Sequence, residues 1–351
     1  MAQTDTPTQL NTEQQVREVL ATIDRERERE IIGRRFGLFD RKETLEQIGE
    51  MLGITRERVR QLEKSVLIKL RAAAEQGSLP HIASFEAEVV AKLDGNGDAA
   101  RISVLTNEIT GNTNREEQSR IAFLCQLCTK LAYISEDDNF YSGTSIAKVY
   151  NEAAIKKQVI ALIATIKELG EPLSIEDIAK AAKIDQPVKA AALASLSKKL
   201  ATLNGRWGLI KWPLVNPKNI RDKIYVILKE NGKQMHFNEI ADAIKDSDFK
   251  RKDVTTQAIH NELIKDGRFV LIGRGIYALK EWGYKKGTVA DMITEVLKEA
   301  SEPLHRDEIV KRVLKSRFVK ETTILLNLQG KDQFKRVAKA TYTIDEEPLA
   351  S

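Results

Sequence analysis

The chemistry most legible in this sequence is that of a cationic helix face. Arg56, Glu57, Arg60, Gln61 and Lys64 recur at helical spacing and project together from one side. Each type matches a base edge in a major groove: Arg holds guanine O6 and N7, Glu accepts from cytosine N4, and Gln pairs with adenine. Arg58, Lys69 and Arg71 lie where phosphates are the natural partners, and Thr55 stands where it can cap the helix. Between positions 55 and 71, six basic residues stand against two acidic ones, a local net charge of +4. The whole chain carries only +5 over 351 residues, so polyanion binding must come from such clustering. The bland alternative is an interaction-only helical hairpin with a solvated face.

Other constellations are poorer in chemistry. Cys125-Gln126-Leu127-Cys128 has CxxC spacing, but there are only two cysteines, too few for a zinc site of four thiolates or a disulfide framework. The pair falls mid-helix among Ile121, Leu124 and Leu131, where core packing is the simpler role. His236, His260 and His305 stand near helix starts or on helix faces and suit capping or packing. Asp94-Gly95-Asn96-Gly97-Asp98 imitates a calcium loop, yet Leu105 occupies the twelfth position, where a bidentate Glu belongs. No metal-binding carboxylate set or nucleophile constellation emerges. The expectation is a non-enzyme with no cofactor, no metal and no small-molecule ligand, a nuclease subunit being a distant alternative.

The elements that must position the cationic face follow from the flanking residues. Thr44 with Gln47 three positions on is a capping box that starts a helix. Leu45, Ile48 and Leu52 share one face of it, and Gly49 lacks a side chain where a second helix can approach. Gly53 suits a sharp turn, after which Val59, Leu62, Val66 and Leu70 form the buried stripe of the next helix. Two short helices joined by a tight glycine turn predict a helix-turn-helix, whose second helix presents its N-terminal residues to base edges.

Composition fits a folded chain, with 42% hydrophobic and 30% charged residues. No apolar run approaches the roughly 18 residues that cross a bilayer, and the polar start Met1 to Gln15 lacks a signal segment. A cytoplasmic protein with no membrane partner is expected. Aromatics at 6% disfavour a single-strand platform of stacked rings.

From about 155 onward a degenerate repeat recurs. An apolar-striped helix leads to Glu171-Pro172-Leu173-Ser174, Met235-His236-Phe237-Asn238 or Glu302-Pro303-Leu304-His305. Two helices and a β-rich segment with an aromatic follow: Trp207, Tyr277 and Tyr342. Three helices and a terminal hairpin in roughly 60–70 residues is the order of a winged helix. The clearest wing joins Phe269–Ile272 to Ile276–Leu279 through Gly273-Arg274-Gly275.

The fold class expected is therefore mainly α: a helix-turn-helix followed by tandem winged-helix units with small β-hairpin wings. Its parts are a disordered tail at 1–14, the helix-turn-helix at 15–76, and a small helical domain at 80–150 with one helix from Glu116 to Leu131. That last domain admits a degenerate winged helix. Winged helices follow at 155–215, 218–283 and 287–346. Lys250, Arg251, Lys252, Arg268 and Arg274 are candidate phosphate or wing contacts. The last copy is the more basic, with Lys311, Arg312, Lys315, Arg317, Lys320, Lys335, Arg336 and Lys339, although a solvated face explains that as well.

The run Thr44-Leu45-Glu46 through Thr55-Arg56-Glu57-Arg58-Val59-Arg60-Gln61-Leu62-Glu63 to Lys69-Leu70-Arg71 resembles region 4 of the primary-type bacterial sigma factors. Glu26 to Leu38 is similar to the preceding half of that region. The resemblance implies that Arg56, Glu57 and Gln61 read a minus-35 promoter element, with Arg58 and Arg60 near its phosphates. It also implies that the earlier half faces the flap of RNA polymerase. No counterpart of sigma region 2 is found, so the resemblance does not extend to promoter melting. Residues 218–283 resemble the HARE-type winged helix of the RNA polymerase delta subunit, of chromatin-associated proteins and of some restriction enzymes. Double-stranded DNA and RNA polymerase are the implied partners. A sigma-like, sequence-specific transcription regulator and a delta-like accessory subunit acting by protein contacts are the two competing expectations.

Overall fold

The computed structural model describes residues 11–251 and 253–345, and Lys252 lies outside them. The chain divides into two compact units, Met1–Lys211 and Trp212–Ser351.

The first unit opens with α1 (Thr12–Ala21), α2 (Glu26–Phe36), α3 (Leu45–Leu52) and α4 (Arg56–Glu75). Order begins earlier than the tail expected at 1–14. The Asn11 side chain accepts from the backbone N–H of Gln14 at 3.0 Å, and Thr12 is buried. A capped first turn satisfies donors that would otherwise be orphaned, so residues 12–14 are helical. Helix α2 is apolar on two sides. Ile31 joins Ile48 and Val59 in a small core under α3 and α4. Ile32 and Phe36 turn the other way into a large core running from Val16 to Leu131.

Beyond α4 comes α5 (Ile82–Gly95), β1 (Ala99–Arg101), α6 (Ile102–Thr110), α7 (Arg115–Leu127), β2 (Leu131–Ile134) and β3 (Gly143–Ile146). The helix expected to reach Leu131 stops at Leu127. Cys128 takes an extended backbone, and Leu131 pairs with Ile146 in the sheet. The same order follows in α8 (Glu152–Leu169), β4 (Leu173–Ser174), α9 (Ile175–Ala181), α10 (Pro187–Leu196), β5 (Leu200–Leu203) and β6 (Arg206–Leu209).

The second unit repeats it twice. Its first copy is α11 (Ile220–Asn231), β7 (Met235–His236), α12 (Phe237–Asp246), α13 (Thr256–Lys265), β8 (Phe269–Gly273) and β9 (Ile276–Leu279). The next is α14 (Val289–Ala300), β10 (Leu304–His305), α15 (Arg306–Ser316), α16 (Glu321–Gly330), β11 (Phe334–Ala338) and β12 (Thr341–Ile344). Each copy carries a three-stranded antiparallel sheet in which the last strand lies between the other two. The repeat read three times in the sequence thus recurs four times in topology, residues 82–146 supplying the extra copy.

The stretches expected as 15–76 and 80–150 share one core. Val66 and Leu70 of α4 pack with Ile121, Phe123 and Leu124 of α7, and the rings of Phe36 and Phe123 lie 5.1 Å apart. Arg120 fastens the same seam. Its side chain is only 6% exposed and its guanidinium meets Glu117 at 2.6 Å, Glu13 at 3.1 Å and the carbonyl of Leu38 at 2.9 Å. The third helix of the next copy is interior too. Ala190, Ala192, Leu193, Ala194 and Leu196 of α10 are buried, as a helix apolar all round must be. In the second unit, the Phe318 N–H donates to the carbonyl of Ile272 at 3.1 Å, and Arg317 donates to that of Leu271 at 3.2 Å. The backbone edge of β8 is thereby covered.

His236 and His305 cap α12 and α15, their Nδ1 atoms accepting from Asn238 N and Asp307 N at 3.3 and 3.4 Å. Both thiols are buried. Desolvation pushes Cys125 up to about 12, and burial also raises Cys128. Neither is a thiolate near neutral pH, in line with a packing role.

Two outcomes follow from this packing. Arg120→Ala should cost roughly 3 kcal/mol, because it takes the ion pair from the half-buried Glu117 and the donor from the Leu38 carbonyl at a desolvated seam. Urea unfolding followed by circular dichroism measures it, and a loss no larger than that of an exposed ion pair sinks the clamp. With Ellman's reagent at pH 8, neither cysteine should react until denaturant is added; rapid labelling of the native chain contradicts their burial.

Candidate nucleic-acid interface

The site is built from the turn outward. The Thr44 hydroxyl accepts from Gln47 N at 3.2 Å, while the Gln47 side chain accepts from Thr44 N at 2.9 Å, closing the capping box that starts α3. Gly53 ends α3 at φ +64°, a conformation costly for any side chain. At Gly49, a Cβ would lie 2.7 Å from the carbonyl oxygen of Ile54, so glycine is what permits the close approach of the turn to α3. Thr55 then caps α4, its hydroxyl accepting from Arg58 N at 3.2 Å.

The two faces of α4 separate cleanly. Val59, Val66 and Leu70 are buried, and Leu62 packs against the small core. Thr55, Arg56, Glu57, Arg58, Arg60, Gln61, Lys64 and Lys69 are all exposed. These side chains partner one another. Arg56 pairs with Glu46 of α3 at 2.8 Å and Arg60 with Glu57 at 2.6 Å. Arg58 donates to Gln61 Oε1 at 3.3 Å, and Gln61 donates to Glu57 at 3.5 Å. The guanidinium of Arg60 holds the Glu57 carboxyl below its ordinary range, and Glu57 in turn raises Arg60. Exposed pairs of this kind contribute little to stability, so a duplex can redirect them at small cost. Glu46 is the member sequence reasoning missed. It belongs to the other helix, and no spacing rule within α4 points to it.

The remaining candidates are distributed differently. Arg71 donates to the backbone carbonyl of Gln126 at 2.8 Å and so braces α4 against the end of α7. Arg268 is half-buried between Asp266 at 2.8 Å and Asp222 at 3.2 Å, its guanidinium 5.2 Å from the ring of Tyr225. Those partners hold it inside the fold. Lys250 and Arg251 are exposed, and their carbonyls accept from Lys223 at 2.9 and 2.6 Å. Arg274 is exposed at the β8–β9 tip, and Lys252 lies outside the described residues. The α4 residues form one contiguous face; Lys250, Arg251, Arg268 and Arg274 belong to the second unit.

The apolar face of the earlier half, Ile32 and Phe36, is taken by the chain's own core. What α1 and α2 leave open is a groove of about 650 Å³ lined by Arg17, Leu20, Glu26, Arg29, Gly33 and the half-open ring of Phe39. Among the described residues, no group of His, Cys, Asp or Glu is placed to hold a metal, and no helix is long and apolar enough to cross a membrane.

Gly49→Ala should destabilise the first unit by about 1–3 kcal/mol, since the added methyl must push the turn off α3. Chemical denaturation monitors it, and an unchanged midpoint means that the turn does not need the missing side chain.

The family model for sigma-70 region 4 matches residues 25–72. RNA polymerase sigma factor SigA of a Bacillus species is 49% identical to this chain over 59 residues, which is 16% of this chain and 15% of that protein. The chain therefore spans only a small part of the curated relative it matches; the family match at residues 25–72 takes in α2, α3 and most of α4 with its exposed cationic face.

Proposed function

We propose that this chain is a sigma-like, sequence-specific DNA-binding protein of bacterial transcription initiation, reading a minus-35-like element with the N-terminal half of α4. One observation carries the reading: Arg56, Glu57, Arg60 and Gln61 stand exposed at the start of a helix whose opposite face is buried. That is the presentation a major groove requires. Arg56 and Gln61 supply donors for guanine and adenine edges, and Glu57 an acceptor for cytosine N4. Arg58, Arg60, Lys64 and Lys69 lie along the flanks for phosphates. No catalytic role is assigned. RNA polymerase is the proposed protein partner, with the groove beside Phe39 as the surface left open for it.

The four helix–strand–helix–helix–hairpin units read as winged helices, the 218–283 unit being HARE-type. In two of them, the third helix (α10, or α7 from Arg120 onward) is largely interior and serves as scaffold. A second reading, a delta-like polymerase accessory subunit, draws support from α16. That helix carries no basic residue and exposes Leu326 at 68%, a surface suited to protein rather than phosphate.

Arg56→Ala and Gln61→Ala should each relax discrimination at one base position by about 1–3 kcal/mol, while Lys69→Ala should weaken all duplexes alike. Selection from random duplexes with the full chain reads both effects. Unaltered preference in the first two variants returns the exposed face to the solvated alternative.

A further inference from the structure

Strands β8 and β11 occupy the same place in their repeats. Phe269 faces Leu279 as Phe334 faces Ile344, and Leu271 faces Tyr277 as Arg336 faces Tyr342. Both ladders shift register at the next step, between Leu271 and Gly273 and between Arg336 and Ala338. The frames correspond residue for residue, and the surfaces do not. Val270 and Ile272 are buried, packed with Trp282 and Tyr284, and the backbone edge of β8 is taken by Phe318. The matching positions in β11 are Lys335 and Val337, with Arg336 between them and Lys339 at the hairpin, all exposed.

Charge on this blade is mostly positive, with Asp332 and Asp345 as its acidic members. Lys331, Lys335, Arg336 and Lys339 stand against Asp332, a net charge of +3 within nine residues. Intramolecular partners are weak: Lys335 reaches Asp345 only at 4.0 Å, and Arg336 donates to the carbonyl of Ala338 at 3.2 Å. At about 3.3 Å per residue, Lys335 to Lys339 covers roughly 13 Å of strand. A duplex offers one phosphate per about 3.4 Å of axis on each strand, so several fall within reach of one blade.

We propose that the β11–β12 hairpin is a second duplex contact, laying its cations along the phosphate backbone without reading sequence. This rests on the reading of the chain as a DNA-binding protein. It adds a site outside the region 4 match, in the unit whose apolar counterpart wing is closed off. Val337, 49% exposed at the register shift, marks the same open edge. Cations on a bare edge strand also discourage self-pairing, and the test separates the two roles.

The test uses the full chain with Lys331, Lys335, Arg336 and Lys339 all changed to Gln. A companion variant conserves charge through Lys→Arg and Arg336→Lys exchanges. Fluorescence anisotropy against a selected and a scrambled duplex, over a salt series, gives the log–log slope. The neutral variant should flatten that slope by roughly 3, at about 0.9 per phosphate, and lose affinity equally for both duplexes. The charge-conserving variant should keep the parent slope. An unchanged slope in the neutral variant, or a loss in the charge-conserving variant equal to that in the neutral one, overturns the blade. So does self-association of the neutral variant at an unchanged slope, or a loss confined to binding of anionic phospholipid vesicles. If Arg56→Ala still relaxes discrimination at its base position in that case, the α4 reading stands alone; if the parent shows no preference at all, it is the α4 reading that fails.

Discussion

The constraint on which the first unit depends is the grip of two separate cores on one helix. Val59 seals the small core beneath the turn, while Val66 and Leu70 reach into the large one. At 20 residues, α4 is about 30 Å long, enough to serve both. Because both buried stretches lie on one stripe, the rotation of the helix about its axis is set twice. Arg56, Arg60 and Gln61 then have no choice of direction. The exposed cationic face is a by-product of apolar packing on the opposite side.

Electrostatics on that face has a different character. The pairs Arg56–Glu46 and Arg60–Glu57 are solvent-exposed and short, which orders the side chains without committing them. A buried arrangement such as that of Arg120 is far more costly to break and works as a fastener. The fold thus places its desolvated charge at the seam between α1 and α7 and keeps exposed, exchangeable charge at the N-terminal end of α4.

Recurrence of one topology four times separates frame from surface. Register and bulge position are common to β8 and β11, yet one strand is apolar and covered while the other is cationic and open. The third helices divide likewise: α10 and the second half of α7, from Arg120 to Leu127, are largely interior, whereas α13 and α16 keep an exposed face. A shared architecture therefore says little about contact, and the residues on each copy's open surface say more.

Much of this was legible in the linear order of residues, because local rules suffice for it. A capping box at Thr44 and Gln47, the glycine turn, the buried stripe of α4 and the chemistry of Arg56 and Gln61 depend on neighbours within a few positions. The repeats after 155 were readable for the same reason, each carrying its own start signals and turn residues. The copy at 82–146 was readable only as an alternative to a small helical domain, since its middle strand enters only after the long 135–142 connection and its pairing partners are distant. Likewise, nothing near Arg120 or Arg268 in sequence announces that the distant Glu13 and Asp222 join their local partners Glu117 and Asp266, nor that Glu46 meets Arg56 across a turn. Sequence by itself determined which helix bears the exposed cationic face, because helical periodicity is local. Only tertiary structure decided which cations stay free to use it, because burial and ion pairing depend on residues brought together by folding.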